Sequence, residues 1–117
     1  MSEFKIVISD PKAKNLRIVP VKVIGSEDLE YSDVHKEQRE LAKIKLNPSL
    51  IKILNPELGV VVVRIWKNRA NKEKVNLTAK IIEDTSIDMQ TVVVPMTFMR
   101  EKLGTSEAMG EIFRAPA

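Results

Sequence analysis

The sequence predicts a mainly β protein, a small closed β-barrel with two short helices. Three observations carry this. Apolar residues alternate in short β-branched runs, two segments bear the start and stop signals of a short helix, and one strand–helix–strand plan occurs twice. The 117 residues are read as one domain, 1–117. A chain of this size buries roughly 65% of its extended surface, enough for a core without staples. Hydrophobic residues at 44% and charged ones at 30% favour a folded chain over disorder.

Phe4-Lys5-Ile6-Val7-Ile8 alternates and reads as a strand, broken at Ser9-Asp10-Pro11. Leu16–Ile24 alternates again and forms a hairpin with it. Pro20 inside that run marks an edge position or a bulge, because proline has no amide to donate. Gly25–Glu40 is acidic and poor in large apolar residues, so it reads as a mobile loop with a short helix near Asp33–Glu40. Leu41–Leu46 is the next strand.

Asn47-Pro48 is a helix start: asparagine caps a free amide and proline suits the first helical position. Leu50, Ile51 and Leu54 supply the apolar face, and Asn55-Pro56 ends it. The helix is therefore Pro48–Leu54. Val60–Trp66 is a long strand after Gly59, Asn68–Lys74 a polar basic turn, and Val75–Ile82 the partner strand. Thr91–Val94 is a strand, Met96–Leu103 a second helix closed by Gly104, and Glu111–Arg114 the last strand.

Lys43–Leu46, the helix, Asn55, Gly59 and Val60–Val63 repeat in kind as Thr91–Val94, the helix, Gly104, Gly110 and Glu111–Arg114. Ile44 matches Val93 and Leu54 matches Leu103 at a constant offset of 49. Two interleaved copies of such a unit close a barrel that leaves no free edge. The plan resembles the double-psi and related cradle-loop barrels.

Phe4-Lys5-Ile6-Val7-Ile8-Ser9-Asp10-Pro11 resembles the opening of the archaeal and eukaryotic small-subunit ribosomal protein six family. Crenarchaeal members are similar further along, in an extension that carries counterparts of Arg17–Val23, Ala42-Lys43-Ile44, Met99–Gly104 and Phe113-Arg114. The family's glycine-rich turn and Gly-Gly-Ser-Asp stretch are absent here. The resemblance implies the amino-terminal extension domain of a longer protein, or a stand-alone relative. It further implies a cytoplasmic structural component of the small ribosomal subunit whose partners are rRNA and neighbouring ribosomal proteins.

The residues themselves point the same way. One histidine, four glycines and no cysteine leave few routes to an active site, so no enzyme activity and no cofactor are expected. His35 stands alone among carboxylates and reads as solvated. Glu83, Asp84 and Asp88 lack calcium-loop spacing. Glu27, Asp28 and Glu30 sit in a polar loop that offers no opposed environments for an acid–base pair. The longest apolar run, Val60–Val63, is far too short to span a bilayer. Residues 1–8 show no secretory signal, so Asn76-Leu77-Thr78 is not read as a glycan site.

The best functional candidate is basic. Arg64, Trp66, Lys67, Arg69, Lys72 and Lys74 cluster around one hairpin tip, with Glu73 the lone acid. Cations grip phosphates and an aromatic ring stacks on bases. An alternative is a protein-recognition adaptor barrel of a larger machine. No membrane and no small-molecule substrate are expected.

Overall fold

The computed structural model describes residues 17–67 and 73–115 and the backbone of 7–8 and 68. Its elements run β1 (Val7–Ile8), β2 (Arg17–Ser26), α1 (Asp33–Lys36), β3 (Ala42–Leu46), α2 (Pro48–Leu54), β4 (Val60–Asn68), β5 (Glu73–Glu83), β6 (Thr91–Pro95), α3 (Met96–Leu103) and β7 (Glu107–Arg114). The expected closed barrel is present. Strands are ordered β2-β6-β3-β5-β4-β7, and β7 returns to β2, which closes the cylinder. β1 adds to β2 from outside the ring, with Val7 opposite Ile18 and Ile8 opposite Arg17. The remainder of the expected first strand lies outside the described residues.

Both helices follow their local signals. The Asn47 side chain accepts from the Ser49 amide at 2.7 Å, Pro48 opens α2, and Asn55 closes it at φ 48°. Leu50 and Leu54, one turn apart, both face the core. α3 ends on Gly104 at φ 70° and buries Phe98 and Met99. The interior is entirely apolar among the described residues, lined by Val19, Val21, Ile44, Leu46, Val61, Val63 and Ile112.

The repeat is real in the pairing pattern, but its offset is not constant. β2 lies parallel to β6 and antiparallel to β7; β5 lies parallel to β3 and antiparallel to β4. A pseudo-two-fold therefore exchanges β2 with β5, β3 with β6, and β4 with β7. The registers close on it. Lys22 opposite Thr91 maps onto Lys80 opposite Lys43, and Val19 opposite Ile112 maps onto Leu77 opposite Val63. Inward-facing Leu46 corresponds to Val94, at an offset of 48. The offset reaches 49 at the caps Asn55 and Gly104, because α2 has 7 residues and α3 has 8. Matching Ile44 to Val93 would put one strand inside out, since side chains alternate faces.

Two further readings need correction. The last strand begins at Glu107, so Gly110 lies inside β7 and does not play the part of Gly59. A Cβ at Gly110 would stand 2.4 Å from the Arg64 carbonyl oxygen, so its bare α-carbon is what lets β7 press on β4. The segment after Gly25 is also pinned, not loose. Leu29 is buried, Tyr31 meets Phe98 edge-on with centroids 5.3 Å apart, and Glu27 and Lys36 pair with Arg100 and Glu101 at 2.7 and 3.0 Å.

Pro20 sits as expected for an edge. Gly25 donates to Ser106, the residue before β7, whereas Lys22 donates to Gln90 on the β6 side. Even-numbered residues of β2 thus turn their amides toward β6. β6 starts only opposite Lys22, so no β6 residue among the described ones stands opposite position 20.

Candidate nucleic-acid interface

The β4–β5 hairpin carries the basic cluster. Its strands pair from Val60 with Lys80 out to Trp66 with Lys74, and a bulge follows between Trp66 and Asn68. Arg69 and Lys72 lie outside the described residues. The other four candidates are placed differently from one another.

Trp66 and Lys74 face each other across the pair, with the ammonium 5.1 Å from the ring centroid. That cation–π contact holds the indole half-exposed beside a charge. Lys67 is exposed and only loosely paired with Glu73, at 3.8 Å. Arg64 is used by the barrel wall. Its guanidinium donates to Glu111 at 3.2 Å and lies 5.0 Å over the Phe113 ring.

The outer face of the barrel adds cations that the hairpin reading missed. Side chains alternate, so Lys74, Asn76, Thr78 and Lys80 share the outward side of β5. Lys43 lies directly opposite Lys80 on β3, and Lys45 follows on the same side. Among the described residues neither Lys43 nor Lys80 has an ion pair, although like charges side by side destabilise a sheet. Six residues of strand separate Lys74 from Lys80, about 20 Å. The strip thus runs from Trp66 and Lys74, past the amide of Asn76 and the hydroxyl of Thr78, to the three lysines. Its signal was present in the sequence as Lys43-Ile44-Lys45, a period of two that pairs only once β3 is set beside β5.

Beyond the lysines, Asp84 is held below the ordinary carboxylate value. The Ser86 hydroxyl and backbone amide donate to it at 2.6 and 2.9 Å, and Lys45 adds a smaller attraction. His35 is engaged locally: its Nδ1 accepts from the Ser32 amide at 3.0 Å, and its ring stacks on Tyr31. No group of three metal-ligating side chains converges among the described residues. No helix among them is long and apolar enough to cross a membrane. The arrangement can bind an extended polyanion through cations and hydrogen-bond donors.

No family model matches the chain. It is 48% identical, over its whole length and 53% of the relative's, to the small ribosomal subunit protein eS6 of Hyperthermus butylicus. It is 39% identical to that of Staphylothermus marinus, over its whole length and 54% of the relative's. It is 35% identical to that of Aeropyrum pernix, over 95% of its length and 48% of the relative's. The chain thus spans about half the length of the curated relatives it matches. In shape it is similar to the computationally designed msDPBB_sym2 protein, with a TM-score of 0.51 at 15% identity, covering 84% of this chain and 99% of that one. That likeness bears on the fold alone and agrees with the double-psi type of barrel. The chain is similar to archaeal small ribosomal subunit protein eS6 along about half that protein's length and folds as a double-psi-like β-barrel.

Proposed function

We infer that the chain is a structural, non-catalytic module of the small ribosomal subunit that contacts rRNA and neighbouring ribosomal proteins. The observation that carries this is the full-length match, at 48% identity, to part of an archaeal eS6. The geometry supports it. The outer strip offers cations to phosphates. In this reading Trp66, Lys67 and Lys74 contact RNA together with Arg69 and Lys72, and Lys43, Lys45 and Lys80 extend the contact. Arg64 braces the strand that carries Trp66. The location is that of the ribosome, in the cytoplasm.

The test is sedimentation of the 117-residue chain with purified archaeal small subunits. Association at moderate salt that is lost at high salt is expected, because phosphate contacts release counterions. Protein that stays in the soluble fraction at moderate salt would contradict the reading. Capture of protein partners that survives nuclease treatment would favour the adaptor alternative.

A further inference from the structure

The pseudo-two-fold relates an edge of β2 to an edge of β5. On β2, residues before Lys22 have no β6 beside them, and β1 pairs with β2 at Arg17 and Ile18. On β5, residues before Ala79 have no β3 beside them, because β3 begins at Ala42 opposite Ala79. The exchange of β2 with β5 carries Val19 to Leu77, and so Ile18 to Asn76 and Pro20 to Thr78.

Backbone direction follows from the pairing. Ile81 donates to Gly59 on the β4 side. Bonded pairs alternate along an antiparallel ladder, so the even-numbered residues of β5 turn their amides away from β4. The amides of Asn76 and Thr78 therefore face the open edge. No strand among the described residues pairs there. At the related place on β2 the sequence has Pro20, which cannot donate at all.

The open edge borders a cleft of about 380 Å³. Tyr31, Leu77 and Phe98 give it an apolar floor, with His35, Gln38, Glu40 and Lys102 at its margin. Lys102 makes no ion pair among the described residues. Lys36 at the margin is already held by Glu101. An exposed strand edge is a template for another strand, and here one lies beside a cavity that takes alternate side chains.

We propose that this edge of β5 accepts an extended polypeptide segment as an added strand. The fitting segment has apolar residues at alternate positions, directed at Tyr31 and Leu77, and a carboxylate directed at Lys102. Main-chain bonds supply affinity and the cleft supplies selectivity.

The probe is a short extended peptide of alternating valine and glutamate, titrated into the full chain. Hydrogen exchange is read by NMR at each amide. Slowed exchange confined to Asn76, Thr78 and their neighbours is expected. Thr78→Pro should keep the barrel's spectrum, because Pro20 is tolerated at the related position, and weaken the probe about tenfold, the scale of one hydrogen bond. A probe N-methylated on the matching residues should weaken likewise against the unaltered protein. Absence of binding, binding that leaves these amides unprotected, or equal affinity for Thr78→Pro would overturn the proposal. So would protection of the same amides by a second copy of the chain or by single-stranded RNA in place of the peptide.

Discussion

The Arg64 guanidinium on β4 reaches Glu111 on β7 at 3.2 Å while lying over Phe113. This bridge spans one of the seams that close the barrel. It changes the part expected of Arg64, since a cation with a part-buried carboxylate partner is not available to a phosphate without losing that partner.

Arg64→Ala should therefore act on stability. A part-buried, charge-assisted pair with a cation–π contact is worth about 1 kcal/mol. The check is urea denaturation, with a Glu111→Gln double-mutant cycle to isolate the pair. RNA affinity should fall less for Arg64→Ala than for Lys80→Ala. The reverse order would show that Arg64 grips RNA directly.

Gly110→Ala should be costly. The added methyl would meet the backbone of Arg64 and Ile65 at 2.4 and 3.1 Å. Neither is the tip of a flexible side chain, so β7 must move off β4. Overpacking of this kind costs about 1–3 kcal/mol. A midpoint unchanged in denaturant would mean the two strands can separate freely.

Gln38→Gly should stabilise the fold. Gln38 adopts φ 59° just after α1, where a side chain costs about 1–2 kcal/mol and glycine nothing. Glycine's greater freedom in the unfolded chain offsets part of this, which leaves a gain of about 0.5 kcal/mol. A loss of stability would mean that the Gln38 side chain contributes a contact of its own.

Acid should bear on the turn after β5. Asp84 titrates below its ordinary value of 3.8 because Ser86 donates two hydrogen bonds to the charged form. Its contribution is thus present above the ordinary carboxylate range and is lost as the pH falls through the lowered value. Ser86→Ala should raise the Asp84 titration midpoint, read from its carboxyl carbon by NMR. An unmoved midpoint would assign the depression to Lys45 instead.

Local chemistry made much of the fold legible. Asn47-Pro48, Asn55-Pro56 and Gly104 bounded both helices because caps and stops act within a few residues. Alternation marked β2 and β5, and β-branched runs marked β4 and β6. The constant repeat offset failed because one extra helical residue leaves the cap intact and shifts only the register before it. Gly110 resembled a turn signal, and only the neighbouring strand shows why it is glycine. The Gly25–Glu40 segment was read as loose because two anchors, Leu29 and Tyr31, are sparse in sequence but meet the core in space. In the candidate interface, Trp66 and Lys74 were visible as neighbours across a hairpin. Lys43 and Lys80 lie 37 positions apart and become one site only through a parallel pairing that no local pattern reveals.

The outer strip is tested most directly by the salt dependence of binding to a small-subunit rRNA fragment. Affinity is measured across a range of salt for the unaltered chain and for the triple variant Lys43→Gln, Lys74→Gln, Lys80→Gln. Each lost phosphate contact removes about 0.7–0.9 from the slope of log affinity against log salt, so the variant's slope should be shallower by about 2–3 with the barrel intact. Equal slopes would contradict a strip that meets the RNA backbone.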